Sequence, residues 1–215
     1  MSRPRCLFWV QSLLGSGHLR RALAVAEALA ASGVEVTLAN GGPPSPWPSP
    51  AGVDLAQLPS LASRGADFGS LLTADGSPAG EEVWQARTDR LLALLDALRP
   101  AVLLTEMFPF GRRAFRRELL PLLEAARGLT PRLLAVASVR DVLVSKKEGA
   151  AKYRWMLETA NASYDAVLAH GDERLLPFGL SFPLAAELAP PVFHTGFVLN
   201  EPVPAPAGDD APRSS

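Results

Sequence analysis

Residues 15–21, Gly-Ser-Gly-His-Leu-Arg-Arg, set an imidazole and a guanidinium behind two glycines. Glycines let a ligand come close to the main chain, and a histidine can exchange a proton with it. The stretch follows an apolar run at Cys6–Gln11. It opens a helical pattern in which Leu19, Ala22, Leu23, Ala26, Leu29 and Ala30 share one face, with Gly33 as the stop. His18 therefore falls on the first turn of a helix. The positive end of the helix dipole opposes an imidazolium there, and a neutral ring can take a proton from a hydroxyl as a general base. The same position also suits a histidine that merely caps or packs the turn. Arg21, on a neighbouring helical position, suits an anion or a carboxylate.

Other reactive side chains stand where apolar runs end. Strand-like runs cover Cys6–Gln11, Val34–Ala39, Ala101–Thr105, Arg132–Ala137 and Ala166–Ala169, with a weaker one at Val53–Leu58. Most are continuously apolar, as in strands covered on both faces. Helical patterns lie between them: Glu81–Leu98, stopped by Pro100; Arg112–Arg127, which Pro121 should bend or split; and Gly149–Ala160. Strands alternating with helices predict an α/β fold, a doubly wound, Rossmann-like parallel sheet with helices on both faces.

In such a sheet, ligands bind beyond the carboxyl ends of the strands. Those ends carry Gly15, Ser16, Gly17 and His18; Asn40, Gly41 and Gly42; Glu106; Ser138, Arg140 and Asp141; and His170, Gly171 and Asp172. Arg21, Gly42, Arg140, His170 and Asp172 join the glycine loop as candidate substrate-binding residues. Asp141 reads as structural, paired with Arg140 or capping a turn, and His194 as a structural residue in an apolar setting. Arg112, Arg113, Arg116 and Arg117 form a basic cluster at helical spacing. It is either a solvated face or a contact for an anionic acceptor or a membrane surface.

Several function classes are excluded. Gly15-x-Gly17 begins a dinucleotide fingerprint, but Arg20 takes the third glycine position and Asn40 stands where the ribose-binding carboxylate belongs. No phosphate loop occurs, and neither a cofactor nor a metal is expected. The 215 residues carry a net charge of −1, which argues against a nucleic-acid binder. The single cysteine, Cys6, rules out an intrachain disulfide and points to a reducing, cytoplasmic setting. The start imitates a signal peptide, but Gln11 interrupts its apolar run and a glycine loop follows. No uninterrupted apolar run reaches the roughly 18 residues of a membrane span.

Two stretches lie outside the regular pattern: the proline-rich loop 41–52, and 60–80, which lacks a sustained period and reads as a mobile excursion. Long loops at this edge serve as lids or substrate-binding loops, or as surface decoration. Residues 1–198 make one domain, and 199–215 have the composition of a linker or disordered tail. A linker at that place implies a partner domain absent from this chain.

"GSGHLRRALAVAEAL" resembles the Gly-x-Gly-His-x-x-Arg entry of GT-B glycosyltransferases and their nucleotide-sugar hydrolase relatives. "LLTEMFPFGRRAF", "SVRDVLVSKKEG", "YDAVLAHGDERL" and "FHTGFV" resemble segments of predicted bacterial glycosyltransferases related to the MurG-type enzymes. The resemblance runs from about Cys6 to Val198 and implies one half of a two-domain enzyme. This half would bind the acceptor, and a C-terminal domain absent from the chain would hold the nucleotide-sugar donor. "HTGFV" resembles the closing strand of the first half. By this resemblance Gly15, Gly17 and His18 line the cleft, and His18 is a candidate base for the acceptor hydroxyl. Glu106 is the rival base, a partner that orients His18, or a cap of the "FPFG" turn. The alternatives are a nucleotide-sugar hydrolase half and a non-catalytic binding module completed by a second polypeptide.

Overall fold

Seven parallel strands form one sheet in the computed structural model, which describes residues 3–63, 71–140 and 149–198. In chain order the elements are β1 (Arg5–Val10), α1 (Gly17–Ala31), β2 (Glu35–Asn40), β3 (Val53–Gln57), α2 (Glu81–Leu98), β4 (Val102–Glu106), α3 (Arg116–Arg127), β5 (Leu134–Arg140), α4 (Ala150–Ser163), β6 (Ala166–His170), α5 (Phe178–Ser181) and β7 (Val192–His194). The strand order is β3-β2-β1-β4-β5-β6-β7. The winding direction reverses between β1 and β4, which opens a crevice at their carboxyl ends. His18 follows β1 and Glu106 ends β4.

The period-2 alternation of each strand divides the core in two. On β1, Leu7 and Trp9 face α2, α3 and α4, while Cys6, Phe8 and Val10 face α1. All five are essentially without exposure, as a central parallel strand requires. Burial also pushes the Cys6 thiol up to about 12, far from the thiolate a reactive cysteine needs. The second face is covered unevenly. Helix α1 lies over β1 to β3, whereas Leu134 and Phe193, on the same face of β5 and β7, are 53% and 54% exposed. Among the described residues no helix is long and apolar enough to cross a membrane.

Some expectations shift. The helix expected from Arg112 begins only at Arg116, after a 3-10 turn over Arg113–Phe115, and continues unbroken through Pro121. Tertiary packing overrides the proline: Leu119, Leu122 and Leu123 are fully buried on either side of it. The closing strand ends at His194, so most of "HTGFV" lies beyond it. The ends of the 60–80 stretch are packed and paired. Leu61 and Leu71 are buried, Ala62 bridges Leu72, and Leu72 bridges Pro78. Asp141 and residues 199–215 lie outside the described residues.

Candidate active site

A buried polar network fixes the loop that carries His18. Arg87 of α2 and Glu118 of α3 are both 0% exposed and form an ion pair, Nε to Oε2, at 2.6 Å. Arg87 uses all five of its N–H groups. Nε and Nη2 donate to Glu118, Nη2 also to Gln11 Oε1, and Nη1 to the carbonyls of Gly41 and Pro59. Trp9 Nε1 donates to Glu118 Oε1 at 2.8 Å, which completes the carboxylate's partners. Complete pairing is what makes so deep a charge tolerable. Gln11 passes the constraint on, because its Nε2 donates to the carbonyls of Ser12 and Leu61. Ser12 Oγ then accepts the Leu19 N–H at 3.1 Å and caps α1 from a distance. Gly41 is obligatory here: a Cβ would sit 2.3 Å from Gln11 Oε1.

The loop itself is open. Gly15 has φ +64°, which only glycine adopts without cost. Among the described residues, a Cβ on Gly15 or Gly17 would meet nothing within 4 Å, so the main chain there is open. Gly17 has no positive φ and starts α1, so the turn into the helix rests on Gly15 alone. Ser16 occupies the N-cap without a side-chain cap bond. Helix geometry leaves the N–H groups of Gly17 and His18 without intrahelical acceptors, the arrangement that receives anions.

Beside this loop, His18 Nδ1 lies 2.7 Å from Glu106 Oε1. Glu106 is 1% exposed, while the His18 side chain keeps 23%. With the Nδ1 hydrogen donated to the carboxylate, Nε2 is the ring's free acceptor. Arg21 Nη1 stands 3.6 Å from the same Glu106 oxygen. The other oxygen, Oε2, is buried and makes no hydrogen bond among the described residues. The next residue, Met107, has φ 67°, and Arg112 at the end of the following turn has φ 56°. Such main-chain strain collects at functional sites. Arg112 donates from Nε to Gln11 O at 3.0 Å. Burial lowers its pKa and the Glu106 carboxylate raises it again. It therefore belongs to the crevice and not to a solvated basic face with Arg113, Arg116 and Arg117.

A second histidine continues the row. Ser138 pairs in register with Glu106 and Arg140 with His170. Ser138 Oγ lies 2.8 Å from His170 Nε2, and His170 Nδ1 lies 2.7 Å from Thr195 Oγ1. Burial, aided by the Arg21 charge, pushes His170 down to about 4. The unfolded chain, with an ordinary histidine at 6.5, thus binds its proton first as pH falls. The stabilisation from a neutral His170 is complete above pH 6.5 and is lost between 6.5 and 4, to a limit of about 3 kcal/mol. Urea unfolding from pH 7 to 4.5 should show that loss, and His170→Gln should have a visibly flatter profile. Equal slopes in the two proteins would refute a buried neutral ring.

Of the expected site residues, His18, Arg21 and Glu106 meet, with Gly15, Ser16 and Gly17 forming the adjacent loop. Arg140 and His170 end neighbouring strands. Gly42 is buried, and a Cβ there would come 2.8 Å from Ser12 O, so it packs loop against loop. The Asp172 carboxylate is occupied within its own turn by Arg174, Oδ2 to Nη2 at 2.8 Å, and that pairing holds it down at about 2. His194 is partly buried, with Nδ1 3.7 Å from Glu173. Sequence reading missed Gln11, Arg87, Arg112 and Glu118 as a connected set. Among the described residues no group of three or more ligating side chains could hold a metal ion.

The sequence matches no protein-family model and no curated protein. Its structure matches solved structures. TcCGT1 in complex with UDP aligns at TM-score 0.58 and 14% identity, over 97% of this chain and 54% of that one. UGT89C1 of Arabidopsis thaliana, complexed with UDP-L-rhamnose, aligns at 0.56 and 16%, over 93% and 53%. UGT2 of Phytolacca americana, complexed with UDP-2fluoro-glucose and pterostilbene, aligns at 0.53 and 14%, over 93% and 55%. The chain thus spans about half the length of the proteins it matches. These identities speak for the fold alone: the chain forms a single Rossmann-like α/β domain that superposes on about half of each of these GT-B-fold structures.

Proposed function

We propose that this chain is the acceptor-side half of a glycosyltransferase, working with a second domain that holds a nucleotide-sugar donor. The observation that carries this reading is the His18–Glu106 pair at 2.7 Å, set in the crevice where the winding reverses. His18 Nε2 takes the proton of an acceptor hydroxyl as its oxygen attacks the anomeric carbon. A new C–O bond forms, the bond from that carbon to the phosphate oxygen breaks, and the nucleoside diphosphate leaves with the electron pair. Glu106 holds the ring in the tautomer that presents Nε2 and offsets the imidazolium charge that develops. Arg21 keeps the buried carboxylate paired. The unpaired N–H groups at the start of α1 lie near enough to this site to favour negative charge beside it.

Water in place of the acceptor hydroxyl would make the same machinery a hydrolase. The open glycine loop, where among the described residues nothing comes within 4 Å of a Cβ placed on Gly15 or Gly17, favours the larger nucleophile. Residues 1–198 joined to a donor-binding domain should keep most of the nucleotide sugar intact without acceptor and release nucleotide when acceptor hydroxyls are supplied. Complete donor breakdown in buffer alone would assign hydrolysis instead.

A further inference from the structure

A cavity of about 580 Å³ lies between the 71–79 stretch, α2 and the approach to α3, lined by Leu71, Leu72, Pro78, Ala79, Trp84, Ala114, Arg116 and Arg117. Its volume suits a small organic molecule. It opens at the same edge of the sheet as His18, because the segments lining it follow β3 and β4 at their carboxyl ends. Arg112, two residues before Ala114, binds Gln11 O of the β1–α1 loop.

The lining divides into an apolar floor and a cationic rim. Trp84 is 7% exposed and held edge-on by Phe115, with ring centroids 5.5 Å apart, so the floor is rigid. Arg117 is committed: Nη1 lies 2.7 Å from Glu81 Oε2, and its guanidinium stands 5.8 Å from the Trp84 ring centroid. Arg116 is exposed, and its guanidinium has no hydrogen bond, ion pair or ring contact among the described residues. Among the described residues no carboxylate lines the cavity. Glu81 is taken by Arg117, and the Glu82 carboxylate folds back against Gly80. An apolar floor with one uncommitted guanidinium above it complements a ligand with an apolar body and an anionic group.

We propose that this cavity binds a small organic acid, its ring or chain on Trp84, Leu71 and Leu72 and its anionic group on Arg116. Its use as the remote end of the acceptor rests on the transferase reading; its occupancy does not. The test is calorimetric titration of the 215-residue chain with 2-naphthoate and with uncharged 2-naphthalenemethanol. The chain should bind the acid with saturation and about tenfold more tightly than the alcohol. Arg116→Gln, at an exposed position, should fold normally and abolish that preference, and Arg116→Lys should restore part of it. His18→Ala should leave naphthoate binding unchanged, so the cavity stands or falls separately from the catalytic assignment. Equal affinity for acid and alcohol, or undiminished naphthoate binding by Arg116→Gln, would overturn the proposal. So would sedimentation with phosphatidylglycerol vesicles in a chain that ignores naphthoate, which would mark the cluster as a membrane contact.

Discussion

Glu118→Ala should destabilise the chain by about 3–5 kcal/mol, the scale for removing one partner of a buried ion pair. A domain of this kind has only about 5–15 kcal/mol in total. The size follows from what is left behind. Arg87, 0% exposed, would keep its charge with only the Gln11, Gly41 and Pro59 oxygens to meet it, and Trp9 Nε1 would lose its acceptor. The double variant Arg87→Met/Glu118→Leu removes the stranded charge and should recover part of the loss. It should not recover all of it, because the Pro59 carbonyl loses its donor and Trp9 Nε1 its acceptor. Midpoints of urea unfolding with an unchanged slope measure the difference. A wild-type midpoint in Glu118→Ala would show that the pair does not hold the β1–α1 loop to the two helices.

The sheet was legible because parallel strands buried on both faces must be apolar throughout, and the runs ending at Gln11, Ala39, Thr105, Ala137 and Ala169 match β1, β2, β4, β5 and β6 within a few residues. β7 was not legible from pattern: three residues carry no period, and Phe193 is exposed. The His18 side of the site could be read from a glycine loop opening an amphipathic helix. Glu106 could be read from its place at a strand end, although its contact with His18, 88 residues away, depends on β1 and β4 being neighbours. The Arg87–Glu118 pair stayed hidden because charged residues on amphipathic helices ordinarily face water. Nothing local marks these two as facing Trp9 and Gln11. Arg112 was misassigned for a related reason. Helical spacing put it with Arg116, but the chain turns at a positive φ before the helix starts and sends it into the crevice.

The proposed reaction makes His18 the residue on which turnover depends most. In residues 1–198 joined to a donor-binding domain, His18→Ala should lower the rate of sugar transfer by about 100-fold or more, the contribution of a general base. Folding should be nearly unaffected, since a partly exposed side chain on the first turn of α1 adds little to the core. Glu106→Gln keeps a hydrogen-bond acceptor for Nδ1 but not the charge opposite the developing imidazolium, so it should slow transfer less than loss of the ring. The decisive measurement is kcat for sugar transfer by His18→Ala, taken with its melting temperature. A loss of about 100-fold or more at an almost unchanged melting temperature is expected of a general base. Wild-type kcat would contradict it and leave Glu106 as the candidate base, and a large fall in melting temperature would make His18 a structural residue.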